Sequence, residues 1–155
     1  MLVTDRIATL GPASNAPGAG SYTGQDIVDM VHGQAKTGLL GKLIGANMNA
    51  TTDQAIALVS AKCRIDRIVI TNASISLDTA VGGFYNAAAK GGVAIVANTQ
   101  VYSALTAAGK FIKAALAATA GGATTDVQST LIFALTTAQG AAATADIYVF
   151  GEDLS

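Results

Sequence analysis

The chain has 155 residues, with nine Lys+Arg against ten Asp+Glu, a formal net charge of −1, and 12% charged residues, about half the share in ordinary soluble domains. So little charge leaves no electrostatic footprint for a nucleic-acid duplex. One cysteine and one histidine exclude a disulfide framework and the multi-ligand Cys/His metal sites.

A surface this poor in charge is badly equipped to keep a monomer dispersed, so we expect copies of the chain or a partner to cover much of it. The first residues, MLVTDRIATLGPASNAPGAGS, carry Asp5 and Arg6 where a secretory signal needs an apolar run. No apolar stretch reaches 18 residues without polar interruption, and no membrane partner is expected.

Residues 1–25 hold both prolines, Pro12 and Pro17, and four glycines, the composition of an extended arm. From 26 to 47 the spacing turns helical. Ile27, Met30, Val31 and Ala35 form one stripe, and Leu39, Leu40, Leu43 and Ile44 a second. Asp26 is placed to cap the first piece. Residues 1–50 are therefore read as an extended, partly helical N-terminal arm, and 51–155 as a β-sandwich domain.

Cys63 opens the clearest alternation. Cys63, Ile65, Arg67, Val69, Thr71, Ala73, Ile75 and Leu77 take one side, while Arg64, Asp66, Ile68, Ile70, Asn72, Ser74 and Ser76 fall on the other. The run is too long for one strand, which predicts a break near Asn72. On this reading Arg67 points inward and needs a specific acceptor, and Cys63 is a buried thiol.

Gly82-Gly83 and Gly91-Gly92 read as turns, and Val93–Val96 and Val101–Leu105 as short strands. Lys110–Thr119 is ambiguous: its alanines favour helix, its alternation permits a strand. Gly121–Asp126 is a turn, Leu131–Thr136 a half-buried strand, Gln139–Ala143 a turn, and Ile147–Phe150 an apolar strand closed by Gly151. Many short strands with frequent turns indicate an antiparallel sandwich or jelly roll.

The motifs that would carry chemistry fail on inspection. Gly33-Gln-Ala-Lys-Thr-Gly38 has the glycine spacing of a phosphate loop, but Leu39-Leu40 stand where a lysine and a hydroxyl are required. His32 has Asp29 nearby and no nucleophile motif. Lys62, Arg64 and Arg67 lack the interleaved aromatics of a single-strand binder. We expect no catalytic residue, no metal and no cofactor.

The stretch Ile65–Leu77, then Thr79-Ala-Val-Gly-Gly-Phe-Tyr, Lys90-Gly-Gly, Val101-Tyr-Ser-Ala-Leu and Leu135–Gly151, resembles small structural proteins of tailed bacteriophages of the head decoration, or cement, type. The likeness spans about residues 54–151. It implies a β-rich, often jelly-roll fold, with Lys110–Thr119 as a strand. It also implies a homo-oligomer, typically a trimer, clamping the major capsid protein on the virion exterior after synthesis in the host cytoplasm. Ile27, Met30, Val31, Leu39, Leu40, Leu43, Ile44 and Arg67 are then the candidate subunit or capsid contacts. A contrasting reading is a glycan-recognition module of a head fibre, spike or tail tip. That reading requires two or more tyrosines among Tyr22, Tyr85, Tyr102 and Tyr148 on one exposed face.

Overall fold

The computed structural model describes residues 37–117 and 128–155. Ile27, Met30, Val31 and His32, the residue 1–36 portion of the expected arm, and the turn at 121–126 lie outside the described residues. Among those described, all regular structure is β: β1 (Thr37–Asn47), β2 (Gln54–Ile56), β3 (Cys63–Thr71), β4 (Val81–Tyr85), β5 (Ala94–Val101), β6 (Phe111–Lys113), β7 (Leu131–Thr137) and β8 (Thr144–Asp153). They form two four-stranded antiparallel sheets, ordered β1-β8-β3-β6 and β2-β7-β4-β5. Each strand n of the first half neighbours strand 9−n, so strands 1–4 and 8–5 run together like the two sides of one long hairpin.

The inner faces of both sheets supply one hydrophobic cluster, the arrangement of a β-sandwich. Leu40, Ile65, Ile68, Ile70, Ile147 and Val149 come from the first sheet, and Ile56, Phe84, Ile95, Leu131, Phe133 and Leu135 from the second. At its centre the Phe84 and Phe133 rings lie 5.1 Å apart, and Tyr102 meets Phe133 edge-on at 6.1 Å. Such pairs add roughly 0.5–1.5 kcal/mol beyond the area they bury.

β1 corrects the reading of residues 37–50. The spacing of Leu39, Leu40, Leu43 and Ile44 is helical on paper, yet the segment is an edge strand paired with β8 from Thr37–Glu152 to Asn47–Thr144. Two register shifts, at Leu39/Gly41 and Leu43/Ala46, break its period-two pattern and imitate a helical one. The second shift includes Gly45 at φ 68°, whose N–H donates to Asp146 Oδ1 at 2.8 Å. Leu40, Ala46 and Met48 enter the core, so the compact β unit begins at Thr37.

β3 ends at Thr71, and Asn72 turns the chain at φ 53°, where the break was expected. The face assignment within β3 is corrected. A register shift against β8 lies between Ile65 and Arg67. Cys63 and Ile65 point inward before it, Ile68 and Ile70 after it, so the odd-position stripe changes phase. Arg67 is consequently exposed, not buried against an acceptor. Cys63 is fully buried, with Ser60 as its hydrogen-bond partner.

Other expectations are corrected by packing. Gly82 and Gly83 make no turn; they sit inside β4, where a Cβ would run into the backbones of β7 and β5. The strand expected at 93–96 is the start of β5, which runs on to Val101, whereas the strand expected at 101–105 does not form: Tyr102–Leu105 is a turn closed by the Leu105 N–H on the Tyr102 carbonyl at 2.8 Å. Gly91-Gly92 does turn the chain, with Gly92 at φ 67°. Phe111–Lys113 is a strand, resolving part of the ambiguous 110–119 segment. β7 is buried at every position from Leu131 through Leu135 instead of alternating, so both of its faces are covered there. Gly151 lies within β8, which continues to Asp153.

Candidate functional site

The outward face of the β1-β8-β3-β6 sheet collects side chains that packing leaves open. Cross-strand register aligns them in rows. Thr37 stands opposite Glu152, and Glu152 opposite Arg64. Leu39 and Arg67 flank Phe150 from its two sides. Lys42, Tyr148, Val69 and Lys113 form one row across all four strands. Beyond it come Asp146, Thr71 and Phe111.

Of the described aromatic residues, Phe84, Tyr85, Tyr102 and Phe133 are buried, whereas Phe111, Tyr148 and Phe150 are not, and all three of the latter lie on this face. Phe111 is 62% exposed and Leu39 45%. The Arg67 guanidinium carbon sits 4.5 Å from the centre of the Phe150 ring, a cation–π contact that orders the cation without neutralising it. Beside it a shallow cleft of about 320 Å³ is lined by Thr37, Gly38, Asp66, Arg67, Phe150 and Gly151.

Charge on the face is uneven. The ion pairs found among the described residues both fall on Arg64, to Asp66 at 3.3 Å and to Glu152 at 3.1 Å. Asp146 is buried, its two oxygens taken by Gly45 N–H and by Asn72 Nδ2, each at 2.8 Å. Lys42, Arg67 and Lys113 have no carboxylate partner among the described residues. The face therefore offers an aromatic centre line with unneutralised cations around it.

The sequence-predicted contacts divide. Leu39 and Arg67 meet at this face, on either side of Phe150. Leu40 is in the core, Leu43 is half-buried against it, and Ile44 is exposed in the bulged part of β1. Tyr148, Phe150, Phe111, Lys42 and Lys113 were missed. The alternations Tyr148/Phe150 and Phe111/Lys113 carried the signal, but only strand order shows that they share one surface.

The described tyrosines do not assemble a stacking platform. Tyr102 is buried and its hydroxyl donates to Gly82 O at 3.2 Å. Burial pushes its pKa well above the usual tyrosine range, with the neighbouring Tyr85 adding to the effect. Tyr85 is buried on a different sheet, raised first by burial and then by Asp53. Tyr148 is half-buried on the face above. Among the described residues there is no group of three or more His, Cys, Asp or Glu placed to hold a metal ion, and no helix long and apolar enough to cross a membrane. No protein-family model, curated protein or solved structure matches this chain.

Proposed function

We propose that this chain is a non-enzymatic structural protein of a tailed-bacteriophage head. In this reading it binds the outer capsid lattice and stabilises the shell, as a decoration or cement protein does. The observation that carries the reading is the strand order. Sheets ordered β1-β8-β3-β6 and β2-β7-β4-β5, with strand n beside strand 9−n, follow the eight-stranded jelly-roll plan, an architecture that recurs in viral shell domains. The stretches within residues 54–151 that resemble decoration proteins supply most of β3, β4, the end of β7 and most of β8 of that plan.

The mechanism is geometric. The partners are the major capsid protein and further copies of this chain, as a trimer over a junction between capsid subunits. Residues 1–36, with Ile27, Met30 and Val31, lie along a neighbour, and the β domain supplies Leu39, Arg67 and the aromatic face. Repetition over a shell turns a modest contact into firm attachment. The low charge content suits a chain whose surface is largely covered. The test is mass spectrometry of purified virions from the phage that carries this gene, followed by co-sedimentation of the full chain with its capsids. We expect stoichiometric recovery with the capsid. Absence from virions, or failure to sediment with capsids, refutes the reading.

A further inference from the structure

The cleft on the outer β1-β8-β3-β6 face is opened by the backbone itself. β3 carries an extra residue, Asp66, where its register against β8 shifts between Ile65 and Arg67. Beside it Gly38 of β1 faces Gly151 of β8, so that pair brings no side chain to fill the space next to Phe150. The hollow, about 320 Å³, is lined by these residues together with Thr37, Arg67 and Phe150. That is the low end of the range of about 300–1,000 Å³ for small-molecule sites. It admits the end of a side chain, not a strand or a helix.

Arg67 sets the chemistry of the hollow. Its guanidinium is held over the Phe150 ring, 4.5 Å from the ring centre, and makes no ion pair or hydrogen bond among the described residues. A guanidinium held on a ring keeps its fork of N–H donors for a carboxylate, which it takes bidentately. The nearby acids do not serve it, because Asp66 and Glu152 are both drawn to Arg64. The other described acids are engaged elsewhere. Asp53 accepts from Ala89 N–H, Asp78 from Ser76, Asp146 from Gly45 and Asn72, and Asp153 from Ser60. Every described Asp and Glu side chain therefore has a partner within its own copy. The β unit of a second copy has no carboxylate to offer Arg67 without breaking one of these contacts, and its own face opposes cation to cation. The complement has to come from a different protein.

We propose that this cleft receives an aspartate or glutamate side chain from a loop of the major capsid protein, gripped by the Arg67 fork, with apolar neighbours of that residue lying on Leu39 and Phe150. This deepens, and rests on, the shell-protein reading. An exposed ion pair is weak, but a capsid surface laid over the cleft excludes water from this one. An arginine anchor in a water-excluded pocket is a common centre of binding energy. The charge pair fixes where each subunit sits, and the aromatic face around it supplies buried area.

The test uses the full-length chain and capsids of the phage that carries this gene, with occupancy read by co-sedimentation across a concentration series. Arg67→Lys keeps the charge and loses the fork, and should weaken attachment on the order of tenfold. Arg67→Glu should weaken it on the order of a hundredfold. Lys90→Ala removes a cation from the loop between β4 and β5, in the opposite sheet, and should leave occupancy unchanged. Attachment of Arg67→Lys equal to wild type, or a matching loss in Lys90→Ala, overturns the proposal. The amine introduced by Arg67→Lys is also a probe. At saturating protein a zero-length carbodiimide should link position 67 to an Asp or Glu of the capsid protein, and replacing that carboxylate by lysine should restore attachment of Arg67→Glu. A link to Asp5, Asp26, Asp29 or Asp126 of the chain itself, a link to a second copy, or no link overturns the proposal. The two readings fail separately. Wild-type chain that sediments with capsids while Arg67→Glu does so equally well overturns this contact alone, whereas wild-type chain that does not sediment overturns the shell reading on which the contact rests.

Discussion

Gly151 and Gly38 face each other across β8 and β1, and they should respond in opposite ways to the same added methyl group. Gly151 is buried and stands opposite Ile65, where the register of β3 shifts. A Cβ there would collide with the Arg64 carbonyl oxygen and come within 2.9 Å of the Asp66 amide nitrogen. Both obstacles are backbone, so no side chain can swing away; relief requires that β3 and β8 separate or that the bulge move. Overpacking of this kind costs about 1–3 kcal/mol, and weakening a ladder bond next to it adds about 1 kcal/mol. Gly151→Ala should therefore lose about 2–4 kcal/mol, roughly 6–15 °C in Tm for a domain of this size. At Gly38 nothing lies within 4 Å of the same methyl group and φ is not positive. Gly38→Ala should be neutral or gain about 0.4–1 kcal/mol by restricting the unfolded chain. Urea unfolding of the two variants beside the wild type, read by far-ultraviolet circular dichroism, gives both numbers. A Gly151→Ala stability within about 0.5 kcal/mol of wild type would refute the reasoning that this bulge is built around a glycine.

Three further outcomes are expected. Removing residues 1–36 should leave the β unit folded with its cooperative unfolding transition. Removing residues 1–50 should abolish that transition, because β1 goes too and takes Leu40, Ala46 and Met48 out of the core; limited proteolysis and circular dichroism separate the two. Phe84→Leu and Phe133→Leu should each destabilise the fold, and a double-mutant cycle should return a coupling of about 1 kcal/mol from the ring pair. Stability should hold up to about pH 9–10 and decline above it. The folded state raises the pKa of Tyr102 and Tyr85, so it binds their protons more tightly than the unfolded chain does. The stabilisation is complete below the unfolded value of about 10 and is lost as pH rises toward the folded values. Tyr102→Phe should flatten the decline in urea titrations between pH 8 and 11, at the cost of the bond to Gly82.

The outer sheet face explains why its residues were hard to assemble from a linear reading. Phe111, Lys113, Tyr148, Phe150, Lys42 and Arg67 come from four strands, and β1 joins β8 from the other end of the chain. Arg67 illustrates the difficulty at one residue. Strict alternation from Cys63 puts it inside; one register shift puts it outside, on the ring of Phe150. A period-two argument is only as good as its phase, and a single extra residue reverses it.

Composition and local pattern alone determined that the chain is mainly β. The run from Cys63 to Thr71 and its break at Asn72, the turns near Gly91-Gly92 and Gln139–Ala143, the strands at Leu131 and Ile147, and the burial of Cys63 were all legible, because alternation and turn residues act over a few neighbours. The tertiary structure decided the rest. It turned Leu39–Ile44 from a helical stripe into a bulged edge strand, because pairing with β8 satisfies the backbone of a segment whose glycines weaken a helix. It drew Gly82-Gly83 into a strand, because two neighbouring backbones approach too closely for any side chain. It also gathered the exposed aromatics and unpaired cations on one sheet face. Those outcomes depend on which distant strands pair and in what register, and long-range pairing leaves no mark on the local sequence.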